Sequence, residues 1–136
     1  MRLEIVNPES LGAPKGWSHG MLAPRDGRLL FVAGMAGFRA GTPGEPPGFV
    51  EQFASALDQV LVVVREAGGG PGDVARMTVY VTDLAEYRAS LEELGKTWRE
   101  RFGRHYPAMA LLEVKGLVDR GARVEIEATA VLAGRT

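Results

Sequence analysis

The chain has 136 residues, a formal net charge of −1 and no cysteine, with an isoelectric point of about 6.1. The missing cysteines exclude disulfides, thiolate metal sites and cysteine nucleophiles. The near-zero charge offers no bulk positive potential for phosphates, so nucleic acid is not an expected partner.

Hydrophobic residues make up 46% and charged residues 24%, an ordinary globular balance. The length suits one domain over residues 1–136, built around one core. His19 and His105 are the only histidines and lie far apart in sequence. With no His/Asp cluster or HExxH pair, no metal site is expected. The opening "MRLEIVNPES" lacks the apolar run of a signal peptide. The most apolar run, "VLVVV" (60–64), is far too short to span a bilayer. These features, with the absence of cysteine, fit a cytoplasmic protein.

In chain order, "RLEIV" (2–6) reads as a short strand stopped by Asn7-Pro8. "WSHGMLA" (17–23) reads as a second, weaker strand. "PRDGR" (24–28) contains Asp-Gly, a strong hairpin signal, with "LLFVAG" (29–34) as the returning strand. The near-continuous apolar character of that strand predicts burial on both faces. Residues 37–48 hold four glycines and three prolines and form a loop.

A helix follows. Phe49, Phe53, Leu57, Val60, Leu61 and Val64 make one apolar stripe, with Gln52, Ser55, Asp58, Gln59 and Glu66 mostly outside it. "GGGPG" (68–72) ends it. Residues 73–83 alternate as a strand with Ala75, Met77, Val79 and Val81 on one face. Asp83 opens a second helix, with Glu86 at the capping-box spacing and Tyr87, Leu91, Leu94, Trp98 and Phe102 as its stripe. "PAMALLEV" and residues 123–132 are the last two strands.

The order is β-β-β-α-β-α-β-β, an α/β (α+β) fold with two helices on one face of a mixed sheet. The other face is then expected to expose Met109, Leu111, Val131 and part of residues 29–34. That is more apolar surface than a monomer leaves in water, so self-association is expected.

"PAMALLEVKGLVDRGARVEI" (107–126) resembles the C-terminal signature of the Rid family, also called YjgF or L-PSP endoribonuclease-like proteins. Pro107, Ala108, Ala110, Leu112, Lys115, Leu117, Val124, Glu125 and Ile126 fit it. "LLFVAG" is similar to the family's strand ending in Ser-Gly, and "AGGGPGDVARMTVYVTD" to its "AG…DVVKTTVFLTD" segment. The resemblance covers nearly the whole chain.

It implies a chorismate-mutase-like fold and a homotrimer with small-molecule pockets in clefts between subunits. In the best-known branch it implies hydrolysis of reactive enamines and imines to keto acids and ammonia, without metal or cofactor. Transferred position by position, Glu125 takes the place of the water-handling glutamate. Gly34 takes the place of the glycine whose backbone N–H assists, with Ala33 where the family has serine. Trp17 stands for the tyrosine that closes the pocket. Met109 replaces the arginine that clamps the substrate carboxylate. Met109 and Leu111 would narrow the pocket and make it more apolar.

The departure at Met109 points to an imine or enamine other than the usual 2-imino acids, or to a trimer that binds metabolites without turnover. Ribonuclease activity, suggested by the older family name, is disfavoured by the acidic isoelectric point and the lack of paired histidines. The residues alone leave structural readings open. Glu125 fits an ion-paired strand carboxylate with Arg123 nearby, Trp17 fits interface packing, and His19 fits a strand-edge histidine with an ordinary hydrogen bond. Glu127 shares the face of Glu125, and His105 reads as a helix-to-strand connector.

Overall fold

Residues 3–134 are described by the computed structural model; Arg2 of the strand expected over residues 2–6 lies outside them. The rest of that segment forms β1 (Glu4–Val6), antiparallel to β2 (Gly20–Leu22). β3 (Arg28–Ala36), β4 (Val74–Val81), β5 (Ala108–Glu113) and β6 (Val124–Leu132) make a second, four-stranded sheet in the order β3-β6-β4-β5. β6 is antiparallel to both neighbours, whereas β4 and β5 run parallel, so the sheet is mixed as expected.

Helix α1 (Phe49–Glu66) packs on β3 and β6. Its six stripe residues are all buried, against Val74, Met77, Val79 and Val81 of β4 and Val124, Ile126, Ala128 and Ala130 of β6. Each such side chain contributes roughly 1.5–3 kcal/mol on leaving water. The helix stops where Gly68 turns left-handed at φ 93°. The Gly68 and Gly69 amides donate back to the Arg65 and Val64 carbonyls, both at 2.9 Å, which satisfies the open end of the helix.

The structure differs from the sequence reading at five places. The Pro24–Gly27 turn forms, with the Gly27 amide donating to the Pro24 carbonyl at 3.2 Å, but it is not a hairpin. β2 pairs with β1 and β3 with β6, so the turn passes the chain between sheets.

The second helix is two: α2 (Leu84–Ala89) and α3 (Leu91–Phe102). Ser90 breaks them, its hydroxyl donating to the Glu86 carbonyl at 2.8 Å and its amide to the Tyr87 carbonyl. Asp83 does cap α2, accepting from the Ala85 and Glu86 amides at 2.9 and 3.2 Å. Leu91, next to the break, is exposed, while Leu94, Trp98 and Phe102 reach the core.

Gln52 is fully buried rather than outside the α1 stripe. Its Nε2 donates to the Pro47 and Gly121 carbonyls, both at 3.1 Å, and its Oε1 accepts from the Arg123 amide at 2.8 Å. The side chain thus ties the glycine- and proline-rich loop, at Pro47, to the β5–β6 connection at Gly121 and Arg123, and satisfies a backbone group of each.

The fourth difference concerns the faces of the sheet. Met109 and Leu111 lie opposite Met77 and Val79 in the parallel register, so they share the helix-covered face and pack on the core. Ala108, Ala110 and Leu112 point the other way. Val131 is buried as well, in a strand with neighbours on both sides.

Fifth, β3 is not buried on both faces. It is an edge strand, and its outward residues Leu29 and Phe31 are 61% and 75% exposed. The expected apolar open face exists, but Leu29, Phe31 and Leu112 form it. Among the described residues no helix is long and apolar enough to cross a membrane.

Candidate functional site

Two groups of expected site residues occupy opposite edges of the four-stranded sheet. The first is at the β3 edge. The β3–β6 register shifts between Val32 and Met35, a β-bulge that leaves Ala33 and Gly34 outside the regular pairing. Both are exposed. The Glu125 side chain, reaching from β6, lies across the Gly34 Cα. A methyl group built on Gly34 would stand 2.6 Å from Glu125 Oε2 and 2.9 Å from its Cδ. The structure therefore brings Gly34, Ala33 and Glu125 together. Arg123 does not pair with Glu125: its guanidinium donates to Glu86 on α2 at 3.0 Å.

Next to Glu125 on the open face is a polar group that the sequence reading left unassembled. The Tyr80 hydroxyl donates to Glu127 Oε2 at 2.8 Å, a diagonal cross-strand contact, since Tyr80 stands directly opposite Glu125. The bond to the Glu127 carboxylate, with desolvation and the charge of that carboxylate, raises the Tyr80 phenol above its ordinary value. Arg76, Thr78, Thr129 and Phe31 share a shallow hollow of ≈ 210 Å³ with Glu127. The period-two pattern of residues 73–83 puts Arg76, Thr78 and Tyr80 on the face opposite Met77, Val79 and Val81. It could not show which strand would face them.

The second group is at the β5 edge. Residues 17–19 run alongside the start of β5. The Ser18 amide donates to the Pro107 carbonyl at 3.0 Å and its hydroxyl to the Tyr106 carbonyl at 2.6 Å, with a bridge to Ala108. Trp17 is 42% exposed there, its ring edge-on to His19 at 6.5 Å between centroids. His19 Nδ1 is buried without a hydrogen-bond partner among the described residues, unlike the ordinary histidine expected. His105 fits its connector role, its Nε2 bonded to the Val74 carbonyl at 2.7 Å.

Met109 opens into a cleft of ≈ 320 Å³ between this edge and α3, lined also by Lys15, Gly16, Tyr87, Trp98 and Arg99. Trp17 and Met109 thus share an edge. Leu111 points into the core from the same strand. Neither Met109 nor Leu111 shares a face with Glu125.

This architecture is that of a known class. The family model for endoribonuclease L-PSP matches residues 8–132, and the chain belongs to that family, the Rid or YjgF proteins. Among its relatives, a RutC family protein of Haemophilus influenzae is 28% identical over 131 residues, 96% of this chain and 98% of its own length. The 2-iminobutanoate/2-iminopropanoate deaminase of Escherichia coli is 30% identical over 108 residues, 77% of this chain and 80% of its own. Of solved structures, the Rid protein YyfB of Yersinia pestis superposes with a TM-score of 0.81 at 29% identity, covering 97% of this chain and 100% of that one. Escherichia coli TdcF, solved with bound serine, gives 0.66 at 26% identity, covering 98% and 99%.

Proposed function

We propose that this protein hydrolyses an imine or enamine at sites completed between copies of the chain, without metal or cofactor. The observation that carries the reading is the Glu125 carboxylate laid across Gly34 on the exposed β3 edge. Hydrolysis of an imine consumes one water and needs one group to move protons. Glu125 takes a proton from water as the water oxygen bonds to the imine carbon, and passes it to nitrogen to give a carbinolamine. It then takes the hydroxyl proton and delivers it to nitrogen as the C–N bond breaks, leaving a carbonyl compound and ammonia. No electron transfer is involved, so no redox cofactor is needed. The backbone groups at Ala33 and Gly34, outside the regular ladder, are placed to help hold the substrate beside that carboxylate.

The other half of the expected site, Trp17 and Met109, is at the far edge. One chain cannot bring the two halves together. A head-to-tail arrangement, β3 edge to β5 edge, would do so and would close into a ring, of which a trimer is the family-typical form. The exposed Leu29, Phe31 and Leu112 give such an assembly apolar surface to bury.

Release of ammonia from neutral and acidic imines, by the natural protein and by Glu125→Gln, tests the proposal. Turnover that collapses in the variant supports it, and equal rates remove Glu125 from the mechanism. Met109 in place of a carboxylate-binding arginine favours a second reading, metabolite binding without turnover. That reading requires a ligand bound equally by both proteins and no product from either.

A further inference from the structure

The cleft behind Met109 has an unbalanced charge. Lys15 and Arg99 line it, and no carboxylate does. Neither cation has an ion-pair or side-chain hydrogen-bond partner among the described residues. The described ion pairs are made instead by Arg101 with Asp58 and Glu100, and by Arg123 with Glu86.

Arg99 is also held back along its own helix. A methyl group built on Gly95 would stand 3.1 Å from the Arg99 Nη1 and 3.9 Å from its Cζ. The guanidinium therefore lies over the bare Gly95 backbone, which itself lines the cleft. A side chain at position 95 would crowd it away. The remaining wall is apolar and aromatic. The Trp98 ring stacks on Tyr106 with 6.1 Å between centroids and 8° between planes, and Tyr87, Leu94 and Met109 complete it. Two unpaired cations above an aromatic wall in a concave site of this size fit one chemical class, a small organic acid with a flat apolar body.

We propose that this cleft binds the carboxylate of such an acid, with Arg99 as the fork and Lys15 as a second charge. The inference rests on the imine-hydrolase reading and deepens it. A cation from α3 takes the task that Met109 cannot perform on β5, and it selects carboxylates with an apolar, planar side chain.

NMR titrations of the full chain with benzoate and with its neutral isostere benzamide, following the Trp98 indole N–H, test this. Benzoate is expected to bind saturably. Arg99→Gln should weaken it about ten- to a hundredfold, the range for a lost hydrogen bond to a charged group, and Lys15→Gln should weaken it less. Benzamide should bind weakly and equally to all three proteins. Equal benzoate affinity in the natural protein and Arg99→Gln, benzamide binding as tight as benzoate, or no saturable shift of Trp98 with benzoate would each overturn the proposal. If it fails while a neutral imine is still turned over by the natural protein and not by Glu125→Gln, the fault lies in the anion site and not in the hydrolase reading.

Discussion

The Glu125 carboxylate occupies the space that a side chain at Gly34 would need. The distance from a Gly34 methyl to Glu125 Oε2 would be 2.6 Å, well inside van der Waals contact. The atom displaced is the end of a flexible side chain, so Gly34→Ala is expected to fold with a stability loss of about 1 kcal/mol or less. The carboxylate must nevertheless swing off the bulge. Imine turnover should therefore fall toward that of Glu125→Gln while the melting temperature changes by a few degrees. Steady-state ammonia release beside thermal unfolding checks the pair. A fully active Gly34→Ala would show that the carboxylate's position over the bulge is irrelevant to the chemistry.

Gln52 leads to a stability prediction. Leucine is close to it in size but leaves the Pro47 and Gly121 carbonyls and the Arg123 amide, all bound by the glutamine, without partners. Gln52→Leu is expected to cost about 2–4 kcal/mol, several times a typical surface substitution, read as a lower urea midpoint at unchanged slope. The loop lies next to β6, and the Gly37 amide donates to the Val124 carbonyl at 2.8 Å. Loosening it should therefore also reach the strand that carries Glu125.

The buried glutamine shows what sequence periodicity can and cannot carry. The α1 stripe and the β4 alternation from Met77 on were legible because each is a local pattern, repeating every 3.6 or two residues, and the Asp83 cap because its partners lie within three residues. A polar residue at a core position breaks that pattern, and its partners lie up to 71 residues away, so nothing local marks it as buried. Met109 and Leu111 failed for a related reason. Alternation separates two faces correctly but does not say which one meets the helices. The answer lay in the register with Met77 and Val79. Glu125 and Gly34 were placed together by the family resemblance, not by spacing. The Tyr80–Glu127 pair needed the β4–β6 register, and the Arg99–Lys15 cleft needed α3 folded against the sheet.

Tyr80 titration gives a prediction with a definite sign. Its phenol is raised above the ordinary value of 10.0, first by the hydrogen bond to Glu127. A raised phenol means that the folded state favours the neutral form. The resulting stabilisation is complete below the unfolded value and is lost as pH rises through the folded one, so the window lies above pH ~10. Spectrophotometric titration of phenolate absorbance should show one tyrosine moving to lower pH in Glu127→Gln. The Tyr87 phenol, raised by burial alone, should stay where it was. Identical curves for the two proteins would show that the Tyr80–Glu127 bond is not maintained in solution.

Phe31 carries the prediction about assembly. It is 75% exposed on the open face of an edge strand, with Leu29 at 61% two residues before it on the same face and Leu112 at 41% on the opposite edge. Burial of a phenylalanine side chain contributes roughly 1.5–3 kcal/mol, and a closed ring gains that at every interface. Phe31→Glu replaces the gain with a carboxylate that must lose its water wherever copies meet. Phe31 takes no part in the core, which Leu30 and Val32 on either side of it join instead. Light scattering coupled to size exclusion should therefore find an assembly in the natural protein and a folded single chain in Phe31→Glu, with unchanged circular dichroism. Because the Glu125 and Met109 groups lie on opposite edges, the single chain should also lose imine turnover with Glu125 intact. A dissociated Phe31→Glu that keeps its full rate would place the whole site within one copy and remove the reason for reading the two edges as halves of one pocket.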